Sequence, residues 1–177
     1  MDKIKIINEL KDLKQVVKVF QDPPFSEPLT EKDILEEFTS YQNHGVAYGY
    51  YDEDEILGYI GILKGIQHNH PIYHTPSHRV LYINGIATLR TKRKHGVGSS
   101  LLNYAITSID PELYNLIYLR TNAEGSMLNN IAYANGFKDL TSQGKLVTQE
   151  VTFERINGEI GTDQRKFMIK SLTKGNK

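Results

Sequence analysis

Cysteine is absent from all 177 residues, which removes disulfides, thiol nucleophiles and thiolate metal sites together. Any acyl transfer by this chain runs without a cysteinyl intermediate. No apolar run approaches the roughly twenty residues of a membrane span, and the amino end, MDKIKIINELKDLK, is too charged for the apolar core of a signal peptide. An intracellular, cytoplasmic protein with no membrane attachment is expected. Excess charge is missing too: Lys and Arg number 21 against 21 Asp and Glu, so no global field recruits nucleic acid or an anionic membrane. Internal repeats and low-complexity tracts are lacking, apart from the polar tail TKGNK at 173–177, which is expected to fray. The length suits one domain with a full core, so residues 1–177 are read as a single α/β unit.

The densest information lies between Val80 and Leu102, where the apolar run VLYINGIATL meets a basic loop, RTKRKHG, and then a helical pattern, GVGSSLLNYAI. Gly96 and Gly98 stand at the mouth of that helix, where free backbone N–H groups and the positive dipole end attract anions. Arg90, Lys92, Arg93 and Lys94 precede them and supply countercharge to a phosphate. Two familiar glycine loops fail here. A nucleoside-triphosphate loop needs Lys-Ser/Thr after its last glycine, and a dinucleotide fingerprint needs a third glycine where Leu101 stands.

Along the rest of the chain, Ile6, Leu10, Leu13, Val16, Val17 and Phe20 repeat at helical period until Asp22-Pro23-Pro24 stops them. Thr30 is the expected N-cap of a second helix with an acidic first turn. Strands are predicted at 45–51 and 56–64, turning through Asp52–Glu55, and at 79–89, where Gly85 marks a bulge or close approach. A helix over 97–109, a strand over 115–121, and a short helix over 126–135 closed by Gly136 follow; strands near 145–156 and 164–172 end the fold.

Arg93-x-x-Gly96-x-Gly98, preceded by a strand and followed by a Leu-Leu helix and a later Asn135-Gly136-Phe137, resembles the acetyl-CoA signature of the GNAT N-acetyltransferase family. The resemblance is strongest from Val80 to Phe137. It implies a mixed α+β fold with a largely antiparallel central sheet flanked by helices, acetyl-CoA as acetyl donor, and often a homodimer. It also implies that the strand before the glycine loop splays from its neighbour and receives the pantetheine arm, at positions corresponding to Ile86, Ala87 and Thr88, with a backbone N–H around Thr88 on the thioester oxygen. Plain tight packing of a central strand equally explains small residues at 85 and 87. Lys94, His95, Val97, Ser99 and Ser100 complete the expected pyrophosphate loop, although Ser99 and Ser100 also suit helix capping and His95 a solvated loop.

Direct acetyl transfer needs a neutral amine, a stabilised oxyanion and a proton for the departing thiolate. Family members use a tyrosine four residues before the glycine of Gly-Phe as the acid; here that position is Ala132, and Tyr133 is one residue out of register. One residue is about a hundred degrees of helix rotation. Tyr133 is thus a candidate acid or a packed aromatic. Asn129 is the candidate pantetheine contact on that helix. The family's occasional glutamate base corresponds to Tyr82, a poor base at neutral pH; Tyr82 and Asn84 alternate on one strand face and can orient a water, with Glu27 or another early acid supplying charge.

The acceptor is read from ten carboxylates between Asp22 and Glu55, set against Lys32 alone. If these wall the acceptor side, as the family's first loop, second helix and hairpin do, they favour a cationic small molecule such as a polyamine or aminoglycoside. A peptide amino terminus or lysine is the alternative acceptor, and a non-catalytic acyl-CoA-binding module the alternative class. Phe25 adds an apolar wall to this side. The loop HNHPIYHTPSH carries His68, His70, His74 and His78, but its lack of carboxylates and its prolines argue against a metal site and for a loop over the acceptor cleft.

Overall fold

A computed structural model describes residues 3–9, 11–12, 15–16, 19, 30–67, 69–73, 75–154 and 158–172. In chain order it contains β1 (Ile4–Ile6), α1 (Glu31–His44), β2 (Gly45–Asp52), β3 (Glu55–Lys64), β4 (Val80–Thr88), α2 (Val97–Thr107), β5 (Leu116–Asn122) and α3 (Met127–Ala134). The short strands β6 (Lys138–Asp139), β7 (Thr141–Ser142) and β8 (Lys145–Leu146) then lead to β9 (Thr148–Glu154) and β10 (Ile160–Ser171). The main sheet runs β1-β2-β3-β4-β5-β10-β6, with β9 also on β10. Among the described residues only β4 and β5 are parallel; every other pairing is antiparallel. The mixed, largely antiparallel sheet is the one expected.

The amino end departs from the helical reading. Ile4–Ile6 form a strand paired with Tyr48–Tyr50, because β-branched residues beside an open sheet edge gain ladder bonds that a helix start cannot offer. Described helical residues begin at Lys11 and bury Val16 and Val19. At α1 the reading holds: Thr30 Oγ1 accepts from the Asp33 N–H at 3.2 Å, and the Asp33 carboxylate accepts from the Thr30 N–H at 2.8 Å, a capping box. Asp33 is thereby held below the usual carboxylate range by the Thr30 hydroxyl and N–H.

The carboxyl-terminal strands also differ from expectation. Gln143 and Gly144 both adopt positive φ, the conformation of a tight two-residue hairpin, so Lys145–Leu146 turn back on Thr141–Ser142 in a separate ribbon. Strand β10 is longer than predicted. Its first half pairs with β9 and its second with β5.

Three buried clusters place the elements. On one face, the helical residues near the amino end and α1 pack Val16, Val19, Ile34, Phe38 and Tyr41 against Tyr59 and Ala87. Beside them on that face, Tyr82, Tyr118 and Phe167 pack with Ile72. On the other face, Leu101, Leu102 and Ala105 of α2 and Ala132 of α3 cover Ile60, Ile83, Ile117, Leu119 and Met168. Each fully buried leucine contributes about 1.5–3 kcal/mol. Helix α3 ends as expected: Gly136 has φ of 81°, its N–H bonds the Tyr133 carbonyl at 2.9 Å, and the Phe137 N–H bonds the Ala132 carbonyl at 3.0 Å. This Schellman turn drives Phe137 into the core.

Candidate active site

The parallel pairing of β4 and β5 stops early. It runs from Val80 with Leu116 to Ile83 with Leu119; beyond that rung β4 keeps only β3, and β5 keeps only β10. The sheet therefore forks, with Asn84 and Arg120 the first residues on its two prongs. The fork has a local cause in β4. Gly61 faces Gly85 and Ile62 faces Ile83, so Asn84 is the extra residue of a bulge, which bends the strand and increases its twist.

Along the β4 prong, Ile86 packs toward α2 whereas Ala87 is buried with the first helices. The Leu89 N–H bonds the Leu57 carbonyl at 2.9 Å. By antiparallel alternation the N–H groups of Ile86 and Thr88 then point away from β3, into the fork. The Thr88 carbonyl, on the same side, accepts from Arg93 Nε at 3.2 Å. Thus Arg93 fastens the basic loop to the end of β4.

Gly96 is the N-cap of α2 in the left-handed conformation, φ 81°, with no side-chain cap bond; Lys94 also has positive φ. The Ser100 N–H bonds the Gly96 carbonyl at 2.8 Å, which leaves the N–H groups of Val97, Gly98 and Ser99 as the helix's unsatisfied first turn. Ser99 and Ser100 are exposed beside them, as are Lys94 and His95. A Cβ on Gly98 would touch Thr88 Oγ1 at 3.5 Å, so loop and strand end form one surface. Open donors, dipole and cations together suit a diphosphate.

Facing the fork from the α1 side is a polar cluster of which the sequence singles out Asn84 but not its partners. Glu37 and Tyr41 lie one turn apart on α1 and hydrogen-bond each other. Tyr59 of β3 donates to the same Glu37 oxygen at 2.9 Å and contacts the Tyr41 hydroxyl at 2.5 Å. Asn84 Nδ2 donates to Glu37 and to Tyr41, each at 3.0 Å. Burial, followed by the Glu37 charge, lifts Tyr41 well above the phenol range; burial, then Tyr41 and Glu37, does the same to Tyr59. Both phenols remain donors that aim Glu37. The available signal was Glu37 and Tyr41 at helical spacing, with a lone polar Asn84 in an apolar strand.

Tyr82 shares this face, stacked on Tyr118 with ring centroids 4.8 Å apart. His70 Nδ1 lies 2.9 Å from the Tyr118 hydroxyl, which also accepts from the Gln67 N–H at 3.0 Å. Burial, and secondarily the Arg120 charge, depress His70 to about 4. His70 belongs to an aromatic wall; His68 and His74 lie outside the described residues.

Other expected site residues are placed elsewhere. The Asn129 side chain is buried, accepting from Thr121 and Ser126 at 2.8 Å each and donating to the Asn122 carbonyl at 3.2 Å, so it joins α3 to β5. The Tyr133 hydroxyl donates to Asp139 at 2.7 Å and accepts from Lys166 at 2.6 Å. These partners put Tyr133 over β10, with β5 between it and the fork. Phe25 and Glu27 lie outside the described residues.

The carboxylate wall separates into parts. Asp33 is held in its cap and Glu36 pairs with Lys32. The Asp52–Glu55 turn is six residues along β3 from Gly61, about 20 Å from the fork's apex at strand rise. Glu37 is the carboxylate bonded to the bulge.

The acetyltransferase (GNAT) family model matches residues 11–134. No curated protein sequence matches the chain. Among solved structures, the ribosomal-protein-S18-alanine N-acetyltransferase of Escherichia coli is similar with TM-score 0.71 and 13% identity, covering 100% of this chain and 97% of that one. A putative phosphinothricin N-acetyltransferase aligns with TM-score 0.70 and 20% identity over 97% of this chain and 99% of its own. A putative acetyltransferase of Salmonella typhimurium, with its cofactor acetyl-CoA, aligns with TM-score 0.73 and 10% identity over 98% and 95%.

Proposed function

The chain belongs to the GNAT acetyltransferase family, and we propose that it carries an acetyl group from acetyl-CoA to a primary amine by direct attack within a ternary complex. The observation that carries this reading is the fork: open N–H groups on one prong, a diphosphate-shaped helix mouth at its far end, and a buried-tyrosine-held carboxylate at its apex. Acetyl-CoA, when bound, supplies the activated thioester.

Arg93, Lys94, His95, Gly96, Val97, Gly98, Ser99 and Ser100 would hold the diphosphate, using first-turn N–H groups, two hydroxyls and cations. The backbone of Ile86, Ala87 and Thr88 would pair with the pantetheine amides as a missing strand does. Of the two N–H groups aimed into the fork, Ile86's lies two residues nearer the apex than Thr88's. An N–H there stabilises negative charge developing on a carbonyl oxygen.

Glu37 attracts the acceptor's ammonium and takes its proton. Tyr41, Tyr59 and Asn84 fix the carboxylate oxygen, so little reorganisation is needed when that proton moves. Tyr82 forms the adjoining wall of the acceptor side. Tyr133 takes no part in this scheme, since its hydroxyl is committed to Asp139 and Lys166; as the C–N bond forms and the C–S bond breaks, the second amine proton passes through water to the departing thiolate.

A cationic small molecule, polyamine-like or aminoglycoside-like, is the acceptor read from the carboxylates. A peptide amino terminus, the kind of acceptor that the Escherichia coli neighbour's name indicates, is the second reading. The displaced Tyr133 favours a third, a non-catalytic acyl-CoA-binding module. Thiol release from acetyl-CoA, measured over polyamines, aminoglycosides, short peptides and amino acids, tests all three. Release with at least one amine supports the enzyme; acetyl-CoA stabilisation without release supports the module.

A further inference from the structure

At the apex of the fork the two prongs begin with residues of different chemistry: Asn84, bonded to the Glu37 carboxylate on one side, and Arg120 on the other. Both sit immediately past the last parallel rung, Ile83 with Leu119, where paired strands are about 4.8 Å apart. Arg120 follows Tyr118 by two residues, so it lies on the face that carries Tyr82, His70 and Phe167. That is also the face of the Glu37 cluster.

Arg120 is partly buried, and its hydrogen bond goes to a neutral group: Nη1 donates to Gln149 Oε1 at 2.9 Å, while its charge acts on the Tyr82 phenol, opposing the upward pull of burial. Among the described residues no carboxylate pairs with it. The neighbouring Arg165 is answered by Asp163 at 2.9 Å, and that carboxylate also accepts the Asn122 amide. A guanidinium taken from water without an anion is costly, and its planar fork of donors matches a carboxylate. Within the same wall His70 stays neutral, its value depressed by burial and by Arg120 itself. Among the described residues, two cations act on Tyr82 in this wall, Arg120 and Arg165, and of these Arg165 is paired with Asp163 whereas Arg120 has no carboxylate partner.

We propose that the acceptor is a zwitterion of amino-acid type, whose amine is drawn to Glu37 and whose carboxylate is held by Arg120. The assignment rests on the acetyltransferase reading above and narrows it. A polyamine places a second cation against Arg120, and a peptide's amino terminus brings a neutral carbonyl where the guanidinium expects a charge. Both charged groups act on the buried Tyr82 phenol, Arg120 lowering and Glu37 raising its titration, so the two sit around one side chain.

Thiol release from acetyl-CoA is measured with matched pairs of amines, each an amino acid, its carboxamide and the corresponding decarboxylated amine, beside spermidine and a tripeptide. The free carboxylate is expected to raise kcat/KM about tenfold to a hundredfold over the carboxamide, the factor that a charge-assisted bond supplies. Arg120→Gln brings that ratio close to one through the KM for the amino acid, and Arg120→Lys restores part of it. Thermal stabilisation by acetyl-CoA, measured on each variant, shows that it is folded. Carboxamides acetylated as well as acids, or spermidine or the tripeptide preferred, overturn the zwitterion assignment and leave the acetyltransferase standing. Acetyl-CoA binding with no thiol release from any amine overturns both.

Discussion

The side-chain amide of Asn84 donates to the Glu37 carboxylate at 3.0 Å, tying the bulge of β4 to a helix 47 residues earlier in the chain. A strand irregularity and a helix face thus meet at Glu37, the group proposed as the base. Glu37→Gln keeps the shape and removes the charge. It is expected to lower turnover by roughly 10²–10⁴, the range of a positioned general base, while acetyl-CoA affinity by calorimetry stays within about twofold. A wild-type rate in this variant would remove Glu37 from the role of base.

Gly61 faces the same cluster from β3. A Cβ there would overlap the Tyr41 ring end and the Tyr59 hydroxyl, both buried. Gly61→Ala therefore moves the tyrosines that aim Glu37. Turnover is expected to fall at least about tenfold, since small misplacements of positioned groups are costly, with acetyl-CoA still stabilising the protein in a thermal scan.

At the other end of the fork, Gly96 holds φ of 81° with open space where a side chain would go. An L-residue in that conformation costs about 1–2 kcal/mol, and a carboxylate adds repulsion toward phosphate. Gly96→Asp is expected to abolish acetyl-CoA binding by calorimetry, whereas Gly96→Asn, tolerant of the left-handed region, retains part of it.

Tyr133→Phe separates structure from chemistry. Lys166 is 5% exposed and loses one of its two oxygen partners in this variant, so stability should fall by about 1 kcal/mol in urea unfolding. Turnover should stay within about twofold of wild type. A large fall in kcat at unchanged stability would return Tyr133 to the acid role.

His70 gives the fold a defined acid response. Its native value of about 4 lies below the ordinary 6.5, so the unfolded chain binds the proton first as pH falls. The stability that neutral His70 contributes is whole above 6.5 and is lost progressively down to about 4. In His70→Gln, the drop in Tm between pH 7 and pH 4.5 should be smaller than in wild type; an equal drop would show that the histidine does not titrate there.

Much of this architecture was legible because its determinants are local. The Thr30 cap, the Asp52–Glu55 turn, the left-handed Gly136 and the Gly96–Gly98 helix mouth each follow from a few adjacent residues whose backbone requirements are specific. Ile6, expected to open a helix, ends a strand instead, because an isolated isoleucine suits helical and strand periodicity alike and pairing with β2 decides between them. The strand expected near 145–156 is present in two pieces, because the Gln143-Gly144 turn folds Lys145–Leu146 back on Thr141–Ser142 while Thr148–Glu154 join β10.

The sequence by itself determined the glycine-bearing helix mouth proposed to hold the donor, since such a mouth consists of consecutive backbone N–H groups and their flanking cations. Only the tertiary structure decided which side chains meet at the fork, the proposed acceptor side. Carboxylates that look alike in sequence diverge in space, with Asp33 in a helix cap, Asp52–Glu55 at a distant turn and Glu37 at the fork. Tyr133, one residue out of register, is turned onto Lys166. Which side chains meet across the fork depends on where β4 and β5 part, and that point is set by the bulge and by pairing with two other strands, contacts that no local pattern encodes.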